Sequence, residues 1–388
     1  MKKISTRAKQ LYIIIKYYII LVISIFIKVD NNIWLISERG DEARDNGYFF
    51  YKYLKQNIKD ITVKYVITKN SVDISKIDKK DIVYYQSFKH ILYYIKAKYL
   101  ISTHIQGYSP EFRSFSRLSK YNIFYKKGKE IMLQHGITKS PIDNLYYKNN
   151  KKLKMFVCGA KPEYDYIKEE FGYDENVVKY TGFARFDTLI TKSNSNKILL
   201  MPTWRTYLYG LTAEEFKESE YFKFYNKLIN DERIVNTLKK NKLELIFYPH
   251  YEMQRYLDTF ENKNDIYIKL AHKEDYDVQQ LLIECAYLIT DYSSVYFDFA
   301  YMKKPMVFVQ FDKDEYLKKH YRKGYFDYEK DGFGPVFYDY EAAVNEIIMN
   351  IKSKFKNDEK YINRSKKFYV YNDKNNCERI YKEILKLK

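Results

Sequence analysis

Past residue 30 the chain alternates between short runs rich in β-branched and aromatic residues and stretches whose apolar positions fall at helical spacing. The runs 33–37 (IWLIS), 62–68 (TVKYVIT), 81–86 (DIVYYQ), 99–103 (YLIST), 130–134 (EIMLQ), 154–158 (KMFVC) and 177–181 (VVKYT) predict strands. Helical patterns at 45–56 and 88–97 fall between them. The polar stretch 191–197 (TKSNSNK) predicts a linker. Beyond it the alternation restarts, with strands at 198–201 (ILLM), 243–248 (LELIFY), 265–270 (DIYIKL), 287–290 (YLIT) and 305–310 (PMVFVQ), and helices at 278–286 and 294–302. Strands that are apolar on both faces and alternate with helices belong to covered parallel sheets. The expected fold class is α/β, with two Rossmann-like domains facing a cleft, residues 31–190 and 198–388. The second domain ends in a Lys-rich helical tail from about 355, free to pack back on the first.

Residues 11–27 (LYIIIKYYIILVISIFI) break this pattern, being apolar apart from Lys16 and Ser24. Lys2, Lys3, Arg7 and Lys9 precede the run and Lys28 follows it. At about 1.5 Å per residue the run is ~26 Å long, marginal for a span. No small-residue cleavage site follows, so a cleaved leader is not expected. A buried first helix competes with a membrane-associated one. The preferred reading treats 1–30 as a membrane-associating segment whose basic residues meet anionic headgroups on the cytoplasmic face, peripherally bound.

Composition narrows the function classes. Hydrophobic residues make up 46% of the 388, which excludes wholesale disorder. The net charge of +18 calls for a polyanionic partner, whether nucleic acid, anionic lipid or a phosphate-rich substrate. Cys158, Cys285 and Cys377 lack pairing or metal-ligand spacing, so reduced thiols are expected. No His-x-x-x-His pair occurs, and no metal site is assigned. Neither a Walker motif nor Gly-x-Gly-x-x-Gly is present, which argues against ATP and NAD.

In open α/β sheets ligands bind beyond the carboxyl ends of the strands, and polar clusters sit there. Gln134-His135-Gly136 follows one strand, and Gly136 permits a tight turn that exposes the imidazole. Tyr248-Pro249-His250 follows another; Pro249 ends the ladder and delivers His250 to a loop. Two histidines at two strand ends suit acid/base work near neutral pH, or cationic stabilisation of phosphate. Structural hydrogen bonding is the competing role for each. Ser293 and Ser294 are placed at a helix N-cap where N–H groups favour phosphate, with Asp298 one turn on to accept from ligand hydroxyls. An ordinary capped helix is the alternative. Gly182 to Asp187 (GFARFD) and Pro202-Thr203-Trp204-Arg205 place Arg185 and Arg205 at strand ends, where guanidinium forks match a diphosphate. Salt bridging is the alternative for either arginine.

Together these clusters resemble the CDP-glycerol glycerophosphotransferase family, which builds teichoic acids and related glycerol- or ribitol-phosphate polymers. The resemblance runs from Trp34 to Tyr340. It rests on Asp45-Asn46-Gly47, Gln134-His135-Gly136, Gly182 to Asp187, Pro202 to Arg205, Pro249-His250 and Asp291-Tyr292-Ser293-Ser294 with Asp298. The later Arg322 to Asp327 (RKGYFD) and Gly334-Pro335 also match. It implies a GT-B-type fold with the CDP-alcohol held mainly by the C-terminal domain. His135 and His250 take the positions of the catalytic histidines, and Arg185, Thr203, Trp204, Ser293, Ser294 and Asp298 take donor-contacting positions. The chain has Ala184 where the family usually has Pro, and Ile137-Thr138 where it has Thr-Pro, so the donor alcohol stays open between glycerol and ribitol.

The reaction the resemblance implies is attack of an acceptor hydroxyl on the β-phosphorus of CDP-glycerol, with CMP leaving. His135 would be the base, while His250, Arg185 and the N–H groups at Ser293 and Ser294 stabilise the diphosphate; the two histidine roles are exchangeable. The implied acceptor is lipid-linked or polymeric. No cofactor is obligatory on this reading, with Mg²⁺ not excluded. A GT-B sugar-nucleotide glycosyltransferase of capsule synthesis is the nearest alternative. Nucleic-acid binding is disfavoured, because the basic residues are scattered while the clusters end strands.

Overall fold

The computed structural model describes residues 6–118, 121–141, 146–149, 153–190, 195–319 and 324–387. Residues 191–194 of the expected linker, Lys2 and Lys3, and Arg322 with its neighbour Lys323 lie outside the described residues. The chain divides into two compact units. One comprises Met1–Thr138, Ile142–Thr188 and Tyr371–Lys388, the other Lys139–Pro141 and Leu189–Val370.

The first unit is built on seven parallel strands: β1 (Ile33–Ser37), β2 (Thr62–Ile67), β3 (Ile82–Tyr84), β4 (Tyr99–Ser102), β5 (Lys129–Met132), β6 (Met155–Cys158) and β7 (Val178–Tyr180). Their order is β3-β2-β1-β4-β5-β6-β7, so the topology switches direction between β1 and β4. Every residue of β1, β4 and β6 is buried, which is why these segments read as unbroken apolar runs. The edge strands β3 and β7 are only partly buried.

The second unit repeats the plan with β8 (Lys197–Leu200), β9 (Glu244–Phe247), β10 (Ile268–Leu270), β11 (Tyr287–Thr290), β12 (Met306–Val309) and β13 (Val336–Phe337). The order β10-β9-β8-β11-β12-β13 puts its switch between β8 and β11. The expected strands are all present, with ends shifted by a few residues at most. Strand β13 is an addition, because two half-buried residues carry no periodic signal.

Two segments stand outside the repeated sheet plan. The helix α1 (Thr6–Ser24) is neither wholly buried nor free. Ile13, Tyr17 and Ile20 pack into the first unit's core with Ile91, Tyr94, Phe115 and Phe124. Lys16, the charge inside the apolar run, is satisfied by donating to the Gln86 carbonyl at 2.8 Å. The opposite face exposes Leu11, Ile15, Ile19 and Val22, followed by Ile25 and Phe26. Among the described residues no helix is long and apolar enough to cross a membrane.

The tail is the second, and its last residues pack back on the first unit as the sequence allowed. The domain drawn as 198–388 ends at Val370 in this division, and the helix Asn376–Leu385 packs with the first unit. The cause is local. Asp187 of the Gly182 to Asp187 motif accepts from the backbone N–H of Asn376 at 2.9 Å and of Cys377 at 2.8 Å. It therefore caps a helix start at which Asn375 makes no side-chain capping hydrogen bond. Gly182 (φ +79°) approaches so closely that a Cβ there would lie 1.9 Å from the Asn376 side-chain oxygen.

Candidate functional site

In the first unit the segments beyond β1, β4 and β5 converge. Ser102 Oγ donates to the Glu38 carbonyl at 3.2 Å and accepts from the His104 N–H at 3.1 Å, tying the end of β1 to the end of β4. Gly107 lets these segments touch, since a Cβ there would sit 2.0 Å from the Glu38 carbonyl oxygen. The buried Glu38 carboxylate accepts from the N–H groups of Arg44, Asp45 and Tyr48 at 2.9–3.1 Å, holding the start of α2 (Asn46–Asn57). Burial, and then the charge of Asp45, push its pKa upward.

His135 is presented by a strained turn, because Gln134 sits at φ +60° in the left-handed region. Two residues clamp that turn. The Asn46 side chain donates to the Gln134 carbonyl at 2.7 Å and accepts from the Arg185 N–H at 3.0 Å. Arg185 donates to the His135 carbonyl at 3.0 Å and to Asp45 at 2.9 Å. Arg185 is thus buried and engaged by protein groups, and the structure places it behind the His135 loop rather than in open solvent. Three sequence motifs, Asp45 to Gly47, Gln134 to Gly136 and Gly182 to Asp187, form one hydrogen-bonded unit.

The His135 ring stacks on His104, with centroids 4.5 Å apart and planes 10° from parallel. Surrounding protein, and then the Arg39 and Arg185 guanidinium charges, lower the His135 pKa to about 4 against an opposing backbone hydrogen bond to Thr103. The side chain itself is exposed; the two cationic charges alone give the same direction. Burial, then His135 and Arg39, likewise hold His104 well below the usual imidazole range. His104 and Arg39 are not among the sequence candidates, although both follow strand ends as His135 does.

In the second unit the buried Asp291 gathers the strand ends. It accepts from the Thr203 N–H at 2.8 Å, the Tyr225 hydroxyl at 3.2 Å and the Arg205 guanidinium at 2.9 Å. Arg205 corrects the sequence reading. It is wholly buried, paired also with Asp312 at 2.6 Å and donating to the Thr203 carbonyl at 2.8 Å, so it is closed to a diphosphate. It braces the β8 and β11 ends instead.

Trp204 and His250 stay at the surface of this cluster, their rings 16° from parallel and 6.0 Å apart. His250 Nδ1 accepts from the Glu252 N–H at 3.3 Å. The neutral ring therefore carries its hydrogen on Nε2 and can donate a hydrogen bond from it. Tyr248 and Pro249 are buried, Pro249 accepting from the Gln254 side chain at 3.0 Å. The Thr203 hydroxyl and the Gln134 side-chain oxygen, in separate units, are buried without a hydrogen-bond partner among the described residues.

The serine pair also differs from expectation. The helix starts at Tyr296 and runs only to Tyr301, with Val295 at the cap, so Ser293 and Ser294 lie in the turn before it. Ser294 is exposed, Ser293 is buried, and Asp298 is 3% exposed within the helix. Lys139, unmarked by any sequence signal, is buried beside this turn and donates to the Tyr292 carbonyl at 2.8 Å. Burial lowers its pKa to about 7, against the opposing pull of Asp291. Among the described residues no group of three or more His, Cys, Asp or Glu side chains has the arrangement of a metal site. The three cysteines are buried free thiols.

Residues 18–386 match the family described as CDP-Glycerol:Poly(glycerophosphate) glycerophosphotransferase. The chain belongs to this family. Its relatives include the minor teichoic acid biosynthesis protein GgaB of Bacillus subtilis (strain 168), 35% identical over 368 residues. That match covers 92% of this chain, which spans only 40% of the length of GgaB. A teichoic acid poly(glycerol phosphate) polymerase of Bacillus spizizenii W23 is 24% identical over 408 residues, covering 99% of each chain. A solved variant of the wall teichoic acid polymerase TagF superposes with TM-score 0.69 at 16% identity, over 98% of this chain and 97% of that one. The S. aureus MnaA–UDP structure follows at TM-score 0.53 and 15% identity, over 91% and 95%. At these identities the structural likenesses speak for the two-domain α/β fold.

Proposed function

We propose that the protein transfers glycerol phosphate from CDP-glycerol, or ribitol phosphate from CDP-ribitol, to a hydroxyl of a lipid-linked or polymeric acceptor. The acceptor oxygen forms a bond to the β-phosphorus, the bond from that phosphorus to the bridging oxygen breaks, and CMP departs with the electron pair. The observation that carries this reading is the complementary state of the two strand-end histidines. His135 is biased toward the neutral ring, which can take the hydroxyl proton. His250 presents its N–H on Nε2, which can donate a hydrogen bond to the phosphoryl oxygens and the departing CMP as charge builds on them. A role for both on one substrate, with the two units in a GT-B arrangement, is part of the proposal. Arg185 and Asn46 position His135; Thr203, Trp204, Ser293 and Ser294 are the donor-side candidates.

The exposed apolar strip of α1, with exposed Arg7, Lys9 and Lys28 near its ends, suits a helix resting on an anionic membrane surface. This would keep a lipid-linked acceptor near the enzyme at the cytoplasmic face. General acid–base groups are worth about 10²–10⁴-fold, so His135→Ala and His250→Ala should each cut turnover at least tenfold in folded protein. Near wild-type rates in either variant remove that histidine from the chemistry.

A further inference from the structure

Arg39 has an unusual placement. It follows β1 at the topological switch of the first unit, where ligands of open α/β sheets collect. Its Nε donates to His104 Nε2 at 3.1 Å, which fixes the plane of the guanidinium. That acceptor role puts the neutral His104 proton on Nδ1, against the Thr103 hydroxyl at 2.9 Å. His104 in turn stacks on His135. The two terminal nitrogens of Arg39 make no hydrogen bond or ion pair among the described residues, and the side chain is exposed. Glu42 feels its charge without pairing to it. A positive fork is thus oriented beside the imidazole, its terminal donors meeting no acceptor among the described residues. Arg185 and Arg205, also at strand ends, are by contrast consumed by carboxylates.

We infer that Arg39, braced by His104, binds the phosphodiester adjoining the terminal alditol of the acceptor, and so selects acceptors that already carry a phosphate next to the attacking hydroxyl. A guanidinium with two free N–H₂ groups matches two phosphate oxygens bidentately. Anchoring that phosphate would bring the neighbouring hydroxyl to His135. The inference rests on the transfer reaction proposed above and deepens it by naming the residue that would hold the acceptor's phosphate.

The test compares two soluble acceptors that differ only in a phosphodiester beside the terminal glycerol, using wild type, Arg39→Gln and Arg39→Lys. The expected result is that kcat/KM for the phosphate-bearing acceptor, divided by that for the phosphate-free one, falls at least tenfold in Arg39→Gln, with Arg39→Lys between. A ratio unchanged from wild type in Arg39→Gln overturns the inference, whatever happens to absolute rates. A second readout needs no turnover. Glycerol 3-phosphate titrated into wild type should shift the His104 and His135 ring signals in NMR spectra, and the shift should weaken at least tenfold in Arg39→Gln. Loss of that shift in wild type counts against Arg39 even if CMP is released. Its presence without CMP release from any donor counts against the reaction and leaves the anion site standing.

Discussion

Replacing Arg205 with Leu separates a structural arginine from a ligand-binding one. Its guanidinium is fully buried and meets Asp291 at 2.9 Å and Asp312 at 2.6 Å, both carboxylates themselves almost wholly buried. Removing one partner from a buried ionic cluster leaves uncompensated charge and costs about 3–5 kcal/mol. In a unit of this size one kcal/mol corresponds to about 2–4 °C, so the melting temperature should drop by roughly 6–20 °C. Adding Asp312→Asn should recover part of the loss by removing one orphaned charge. Differential scanning calorimetry reads both effects. A melting temperature within 2 °C of wild type at pH 8, with donor affinity lost, would show that Arg205 meets the diphosphate after all.

Three further outcomes follow from the same geometry. Because His135 acts as a base only when neutral and its pKa is lowered to about 4, the acid limb of kcat/KM should lie below the ordinary imidazole value of about 6.5. A limb at or above that value contradicts the assignment. Asn46→Ala removes two buried hydrogen bonds that hold Gln134 and Arg185, and should lower kcat by about 5- to 150-fold, or roughly 1–3 kcal/mol, while donor KM changes little; Asn46→Asp should not rescue it. Substituting Leu11, Ile15 and Ile19 by Ser, on the exposed face of α1, should release the protein from anionic vesicles in sedimentation without changing its melting temperature, and equal sedimentation of the two proteins would remove the membrane reading.

Much of the fold is legible in the sequence because its central strands are buried on both faces and therefore read as apolar runs, as in Ile33–Ser37 and Tyr287–Thr290. Burial partners are a different matter. Nothing near Pro202 to Arg205 announces that Asp312, distant in sequence, will neutralise the arginine. Nor does GFARFD reveal that its aspartate caps a helix near the end of the chain, or that its arginine supports a histidine turn. Apolar residues in α1 face two ways, toward the core and outward, and the pattern is too uniformly apolar to separate them. His135 and His250 stand out because glycine or proline beside them marks the turns. His104 lacks such a neighbour, and so carries no comparable signal.

The central claim is transfer of an alditol phosphate with release of CMP. Phosphorus-31 NMR of the protein with CDP-glycerol and a glycerol-phosphate-terminated acceptor tests it most directly. The expected result is that the two diphosphate signals disappear together, replaced by one phosphomonoester signal from CMP and one new phosphodiester signal in the acceptor, in equal amounts. Unchanged CDP-glycerol and CDP-ribitol, alongside release of UDP or GDP from a sugar nucleotide, would contradict it.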